Sequence, residues 1–403
     1  MKITIDKSFI GYLIIAALFF AEPLSSVWYS VTGIDELITL FGWIILLIAI
    51  IRNRGLLVQE KWKLVVLSFV LGILSIGLLG NLCSGVSRTI WNIFLDAYNY
   101  IRIWGSFLLF DFAFPQSTKI AIKKRLLTFS KYFTILCMAF YPISQLSGIM
   151  TGDTRFGIKS YSFIYNNPGS FSNYCVVLLA ISLFEGKISA FTIMNCFLLI
   201  STLRFKSFGV AVFFLVFSIG NKTDKNFTLL KWGTSLVGAF FVGVDQLESY
   251  FGSVNTPRKL FLETSIRIAN DYFPLGSGFG TFGTSVAANN YSPLYSKYGM
   301  SQYWFFHKTD EYNYLNDNFW PAILGELGWI GIGIYITLLL YLYCNMAKAC
   351  GGRFYDALSL KVIFAAIVIA SLGGPILFGQ YGTLFFAIIP IILVNDSTQK
   401  QKT

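Results

Sequence analysis

The sequence predicts an all-α polytopic membrane helix bundle of about twelve transmembrane helices, with one large extracytoplasmic loop containing short helices. Three observations predict it. Hydrophobic residues make up 55% of the 403 and charged residues only 13%, against roughly a quarter charged in a soluble globular domain. Apolar runs close to the ~20 residues that cross a bilayer recur from end to end, and mean hydropathy is +0.63. Lysine and arginine gather at alternate ends of these runs, as the positive-inside rule requires of a multi-pass chain.

In order, the spans are expected at residues 8–27, 34–51, 64–81, 99–115, 132–148, 171–186, 188–203, 207–220, 230–246, 319–344, 360–378 and 381–395. They divide the chain into three parts. Residues 1–246 hold nine helices with short loops, residues 247–318 form the large loop, and residues 319–403 hold the last three helices and a cytoplasmic tail. The first run lacks a small-residue cleavage site and reads as an uncleaved helix, not a signal peptide.

An even number of crossings puts both termini on one side. Placing that side in the cytoplasm collects most of the 31 Lys and Arg there, among them Lys7, Arg52, Lys123, Arg125 and Arg353. The net charge of +11 is thereby explained without nucleic acid. Six cysteines show no metal-ligating spacing and read as small buried hydrophobes. The single histidine, His307, rules out a histidine-rich metal site, and no phosphate-binding glycine loop of nucleotide enzymes is present. No cofactor is expected.

The cations that break the positive-inside pattern carry the functional information. Arg88, Arg155, Lys159, Arg204 and Lys206 fall in short outer segments, and Arg102 falls within or beside an apolar run. Arg258, Lys259, Arg267, Lys297 and Lys308 share the long loop. Arg88 and Lys206 read as side chains snorkelling to the interface. Arg155 and Arg204 read as functional, because a cation at membrane depth on the outer side is not expected for topology alone.

Within the loop, NTPRKLFLETSIRIANDYFP reads as a short helix on the membrane face. Thr256 caps it, Pro257 suits its first turn and Pro274 ends it. Leu260, Phe261, Ile268, Ala269 and Tyr272 share one face, while Glu263 and Arg267 stand elsewhere as an i,i+4 pair. The following Gly276, Gly278 and Gly280 leave backbone N–H groups open to an anion. Two readings stay open here: an anion cradle of arginine and glycines, or an exposed ion pair beside a plain turn.

The loop ends in NDNFWPAILGELGWIG. Asp317 and Asn318 stand at the mouth of the next helix, and Glu326 lies about two turns deeper on much the same face. A carboxylate inside an apolar span must be paired or face a polar cavity, so this helix is expected to line the site.

Together these segments resemble the bacterial O-antigen and capsular polysaccharide polymerases and the wider superfamily that includes the O-antigen ligases. The residues that carry the resemblance are RFGIKSYSFIYNNPGS (155–170), STLRFKS (201–207), RIANDYFPLGSGFG (267–280) and DNFWPAILGELGWIG (317–331), in that order. Arg267, ten residues, then Gly278 matches an R-x10-G pattern of some polymerases. Ligases place histidine before the asparagine equivalent to Asn318, where this chain has Asp317, which favours a polymerase; an O-antigen ligase stays the alternative, since His307 lies nearby in the loop.

The resemblance implies metal-independent, inverting glycosyl transfer on the outer face of the bacterial inner membrane. An undecaprenyl-pyrophosphate-linked glycan would pass to the non-reducing end of another lipid-linked repeat unit, in O-antigen, capsule or exopolysaccharide synthesis. Membrane lipid, a chain-length regulator and a flippase are the implied partners, and nucleic acid is not. A departing lipid pyrophosphate must be met by cations already in place, and arginine's planar fork suits phosphate. Arg155, Arg204 and Arg267 are the candidates, joined by the amides around Gly276, Gly278 and Gly280, with Asn318 also contacting substrate. For the acceptor hydroxyl, Asp317 is the first candidate base, Glu326 the second and His307 the third. Asp317 could equally cap its helix.

Aromatics from Tyr291 to Trp304, with Tyr312, Tyr314 and Trp320, could serve as sugar platforms or as interface anchors. The rival classes are a lipid-linked oligosaccharide flippase, whose charges would line a central cavity, and a polyprenyl-phosphate-sugar glycosyltransferase, whose acidic pair would be Asp35 and Glu36. A channel is disfavoured because intramembrane charges such as Glu22 form no series.

Overall fold

The computed structural model describes residues 6–28, 33–52, 61–87, 89–219, 255–308 and 314–395, together with Gly233 and Gly252. Beside four short 3-10 helices, fourteen α-helices and one β-hairpin account for the regular structure of these residues. In chain order they are α1 Lys7–Val27, α2 Ile34–Arg52, α3 Lys61–Ser84, α4 Ile90–Phe112 and α5 Gln116–Ser147, then β1 Thr151–Arg155 and β2 Ile158–Tyr161. There follow α6 Pro168–Ser182, α7 Ala190–Ser201, α8 Phe205–Ser218, α9 Pro257–Asp271, α10 Ser285–Asn289 and α11 Pro293–Lys297. The last three are α12 Phe319–Ala349, α13 Phe354–Ser371 and α14 Gln380–Ile392.

Among the described residues, six helices (α1, α2, α3, α5, α12 and α13) are long and apolar enough to cross a membrane. Their outward faces carry large apolar side chains: Phe41, Leu47, Leu71, Ile135 and Leu340 are all exposed. That inverts the surface of a soluble bundle and fits a hydrocarbon surround.

Eleven of the twelve expected spans coincide with a helix, and the twelfth, residues 230–246, lies outside the described residues. The boundaries differ for a physical reason. α5 begins at Gln116, well before the apolar run, because Lys119, Lys123 and Arg125 extend its helix past the hydrophobic stretch. α6, α7, α8 and α14 have only 15, 12, 14 and 13 residues. At ~1.5 Å per residue each falls short of ~30 Å of hydrocarbon.

α6 is buried along its whole length, and α14 is buried from Gly382 to Ile392. A helix apolar on every side belongs at the centre, and these two form the axis on which α4, α13 and α1 pack. α2 and α4 approach most closely at Gly42 and Gly105: a Cβ built on Gly42 would lie 1.7 Å from the Gly105 carbonyl oxygen. Small residues permit such contact, the usual means of helix association in lipid. Beside it, Arg102 forms a buried ion pair with Asp35 and reaches Glu36 at 3.4 Å. Asp35 and Glu36, weighed above as a catalytic acidic pair, instead hold α2 to α4.

Residues 255–308 and 314–318 fold over one end of the bundle around a second core of Phe261, Ile268, Phe282, Tyr295 and Phe306. Thr256 caps α9 by accepting the Lys259 N–H at 3.4 Å, with Pro257 in the first turn, as the sequence predicts. Phe261, Ile268 and Ala269 are the buried face of α9. The β-hairpin was not anticipated. Phe156 and Gly157 both take positive φ (53° and 77°), giving the primed two-residue turn that matches strand twist. Arg155 is thereby paired with Ile158 and fixed on a short sheet.

Candidate functional site

A cavity of about 560 Å³ opens at the loop-bearing end of the bundle. Three helices point their N-termini into it: Asn167, Arg204 and Gly379, the N-cap residues of α6, α8 and α14, all line its wall. Helix N-termini carry partial positive charge and exposed N–H groups, so the backbone alone makes this space attractive to anions. Four cationic side chains, Arg155, Arg204, Lys206 and Arg258, line it as well, with Asp317 as the lining carboxylate.

Each cation is held in place. Arg155 Nε donates to Asp153 Oδ2 at 2.7 Å and Arg204 Nη2 donates to Asp153 Oδ1 at 2.7 Å, so one carboxylate sets the spacing of two guanidinium groups. Partial burial pushes the Asp153 carboxyl up, but the hydrogen bond from Arg155 and the charges of Arg204 and Arg155 outweigh it and hold it below its usual range. Lys206 Nζ donates to Asn173 Oδ1 at 3.0 Å. Arg258 donates to the Gly373 carbonyl at 3.1 Å and stands 4.0 Å from Asp317. Burial raises the Asp317 carboxyl above the ordinary aspartate value, against the opposing charge of Arg258.

Of the residues expected from sequence, Arg155, Arg204 and Asp317 come together here. Asp317 is not the cap of α12; that position belongs to Asn318, which is buried and outside the cavity wall. Lys206, read as a snorkelling side chain, is part of the cavity.

Arg267 is not. It is exposed on α9, away from the cavity, and neither Glu263 nor another described residue forms an ion pair with it. The expected joint cradle of Arg267 and the glycines therefore does not exist. The amides of the glycine run are already occupied, each by a protein acceptor. Ser277 and Gly278 N–H donate to the carbonyls of Gly325 and Glu326 at 3.0 and 2.8 Å. Phe279 N–H donates to Asn81 Oδ1 at 2.9 Å, and Gly280 N–H to Asp96 Oδ2 at 2.8 Å. Thr281 and Phe282 N–H both donate to Glu326 Oε1, at 2.8 and 2.9 Å. The run does form a nest of N–H groups, but protein acceptors fill it.

Glu326 is accordingly no cavity base. It is fully buried, and its other oxygen accepts the Tyr100 hydroxyl at 2.9 Å. The glycines serve close approach: Gly278 has φ +88°, and a Cβ there would sit 2.3 Å from the Asn81 nitrogen. His307 lies outside the cavity, with Nε2 3.0 Å from the Ser301 carbonyl oxygen of its own loop. Tyr295 and Phe305 fill the loop's core, and Trp320 donates to Ser371 Oγ at 3.0 Å; none lines the cavity as a sugar platform. Tyr312 and Arg88 lie outside the described residues.

The sequence reading missed Asp153, Arg258 and Tyr381. Asp153 had a signal, standing two residues before Arg155. Arg258 follows the helix-starting Pro257, a position that points back to the helix end. Tyr381 lies inside an apolar run and carries no local signal of its role. Compared with models of known protein families and with curated proteins, the chain matches none.

Proposed function

We propose that this protein is a polysaccharide repeat-unit polymerase of the bacterial inner membrane. It transfers an undecaprenyl-pyrophosphate-linked glycan to the non-reducing end of another lipid-linked repeat unit, in O-antigen, capsule or exopolysaccharide synthesis. The observation that carries the reading is the cavity in which Arg155, Arg204, Lys206 and Arg258 meet three helix N-termini around one lining carboxylate. Such a space suits a diphosphate whose charge grows as it leaves, because cations fixed in advance need no reorganisation at the moment of reaction. Its place at the end of an apolar bundle suits a ligand with a charged head and a lipid tail.

The charge distribution supports an extracytoplasmic position for the cavity. The opposite end carries Lys63, Lys119, Lys123, Arg125 and Arg353, ion-paired with Asp111, Asp356 and Asp6. By the positive-inside rule that end faces the cytoplasm. In this reaction Arg155 and Arg204, held on Asp153, bind the diphosphate bidentately. Asp317, beside Arg258, orients the acceptor hydroxyl or takes its proton. Arg267, Glu326, His307 and the glycine amides have no direct part.

The test is to supply purified protein with synthetic undecaprenyl-pyrophosphate repeat units in the presence of EDTA. A ladder of glycan lengths is expected, abolished when Arg155 and Arg204 are both changed to alanine. Movement of the lipid across a vesicle membrane with no new glycosidic bond would instead make the protein a flippase.

A further inference from the structure

Behind the cavity wall lies a buried carboxylate. Glu22, near the end of α1, is buried and does not line the cavity. Its Oε1 accepts the Asn166 N–H at 3.2 Å, and its Oε2 accepts the Tyr381 hydroxyl at 2.7 Å. The Tyr381 oxygen is also 2.7 Å from Ser170 Oγ. Both Tyr381 and Ser170 line the cavity.

The proton inventory fixes a direction. A phenol has one proton, and the Tyr381 hydroxyl donates it to Glu22 Oε2, so the Ser170 hydroxyl is the donor to the Tyr381 oxygen. Ser170 is then left with lone pairs to receive a hydroxyl from a molecule in the cavity. Gln380 stiffens the arrangement by donating to the Leu18 carbonyl at 2.9 Å and to Tyr174 Oη at 3.0 Å, which ties the start of α14 to α1 and α6.

We infer that Ser170, Tyr381 and Glu22 form a proton relay, with Glu22 the terminal acceptor for the proton of the sugar hydroxyl. This rests on the polymerase reading and leaves Asp317, 4.0 Å from Arg258, to orient that hydroxyl. In the transfer step the acceptor O–H bond breaks and its oxygen bonds the anomeric carbon. The bond from that carbon to the diphosphate oxygen breaks, its electron pair staying with the diphosphate. The acceptor's proton passes to Ser170, the Ser170 proton to Tyr381 and the Tyr381 proton to Glu22, which becomes a neutral carboxyl. One negative charge thus disappears at Glu22 as one appears on the diphosphate beside Arg155, Arg204 and Lys206. Solvent removes the proton before the next round.

The test uses full-length purified protein and labelled lipid-diphosphate repeat units, with kcat and KM measured across pH. The titratable groups around Glu22 are Tyr165, Tyr174, Tyr381 and Lys206. Glu22→Gln and Tyr381→Phe are expected to lower kcat by ~10²–10⁴-fold, the range for losing general-base assistance. KM for the lipid diphosphate should stay within about threefold, since the anion's own contacts remain. Glu22→Asp is expected to recover part of the rate lost in Glu22→Gln.

Retention of kcat within about threefold in Glu22→Gln overturns the relay while polymer made by the wild type upholds the polymerase reading. No polymer from the wild type overturns both. Should Tyr381→Phe fail to fold, Ser170→Ala and Glu22→Asp keep the surrounding volume, and the same kcat-specific loss is required of Ser170→Ala.

Discussion

Glu326 Oε1 accepts the backbone N–H of Thr281 at 2.8 Å, joining a helix to a glycine-rich turn 45 residues earlier. The same oxygen accepts Phe282 N–H, and the partner oxygen accepts the Tyr100 hydroxyl. One carboxylate thereby fastens the folded loop to α4 and α12. Asn81 adds a two-way clamp, its amide donating to the Phe279 carbonyl and accepting the Phe279 N–H, both at 2.9 Å.

Glu326→Ala strands three buried donors, each costing ~1–3 kcal/mol. We expect a loss of at least about 3 kcal/mol in stability, seen as a large fall in the thermal midpoint in detergent. Glu326→Gln keeps an acceptor for Thr281 and Phe282 and should cost less than half as much. A harmless Glu326→Ala would remove the latch from the account of the fold.

Arg155 and Arg204 should matter to anion binding where Arg267 does not. Loss of one charge-assisted hydrogen bond costs ~1.5–3 kcal/mol, so Arg155→Ala or Arg204→Ala should weaken pyrophosphate binding ~10–100-fold by titration calorimetry. Arg267→Ala, at an exposed site without an ion pair among the described residues, should change neither affinity nor stability by more than about 0.5 kcal/mol. Arg155→Lys should not restore binding, because an ammonium lacks the planar fork.

The arginine clamp should survive mild acid. Asp153 is held below the usual carboxylate range by Arg155 and Arg204 in spite of its partial burial. A lowered folded value means that its stabilising contribution is complete above the unfolded pKa and is lost only as pH falls through the folded one. Pyrophosphate binding should therefore persist below the ordinary aspartate range, and Asp153→Asn should weaken it at every pH.

Asp317 should behave oppositely. Its value is raised by burial, so it takes up a proton at a higher pH than an ordinary aspartate, and Arg258 resists this. If the ionised form orients the acceptor, KM for the acceptor rises as pH falls through that raised value. Arg258→Ala should move the rise to still higher pH. Kinetics with the acceptor varied at fixed donor will show it, and an unmoved midpoint would separate Arg258 from Asp317.

The buried pair of Arg102 and Asp35 should be far costlier to break than any exposed pair. Asp35→Ala leaves a cation in the seam between α2 and α4, with an expected cost of ~3–5 kcal/mol. Arg125→Ala, whose partner Asp6 is about half exposed, should cost no more than ~1 kcal/mol. Thermal unfolding of the two variants side by side gives the comparison.

What the sequence by itself determined is local and compositional. Apolar runs far above soluble proportions dictate helices with lipid-like exteriors, and Thr256 with Pro257 dictates where α9 starts. Arg155 and Arg204 stood out because cations in short outer turns run against topology. These properties depend on a residue and its near neighbours, so one dimension suffices to read them.

Pairing was decided only by the tertiary structure. Whether the glycine amides were open to a ligand depended on Glu326 and Asp96 arriving from other helices. Glu22 looked isolated until Tyr381, 359 residues away, was packed against it. Lys206 and Arg258 joined one cavity because short, wholly buried helices end there, which hydropathy does not register. A charge's role follows from the group within hydrogen-bond reach, and in a bundle whose axial helices are α6 and α14 that group is brought by packing, not by sequence distance.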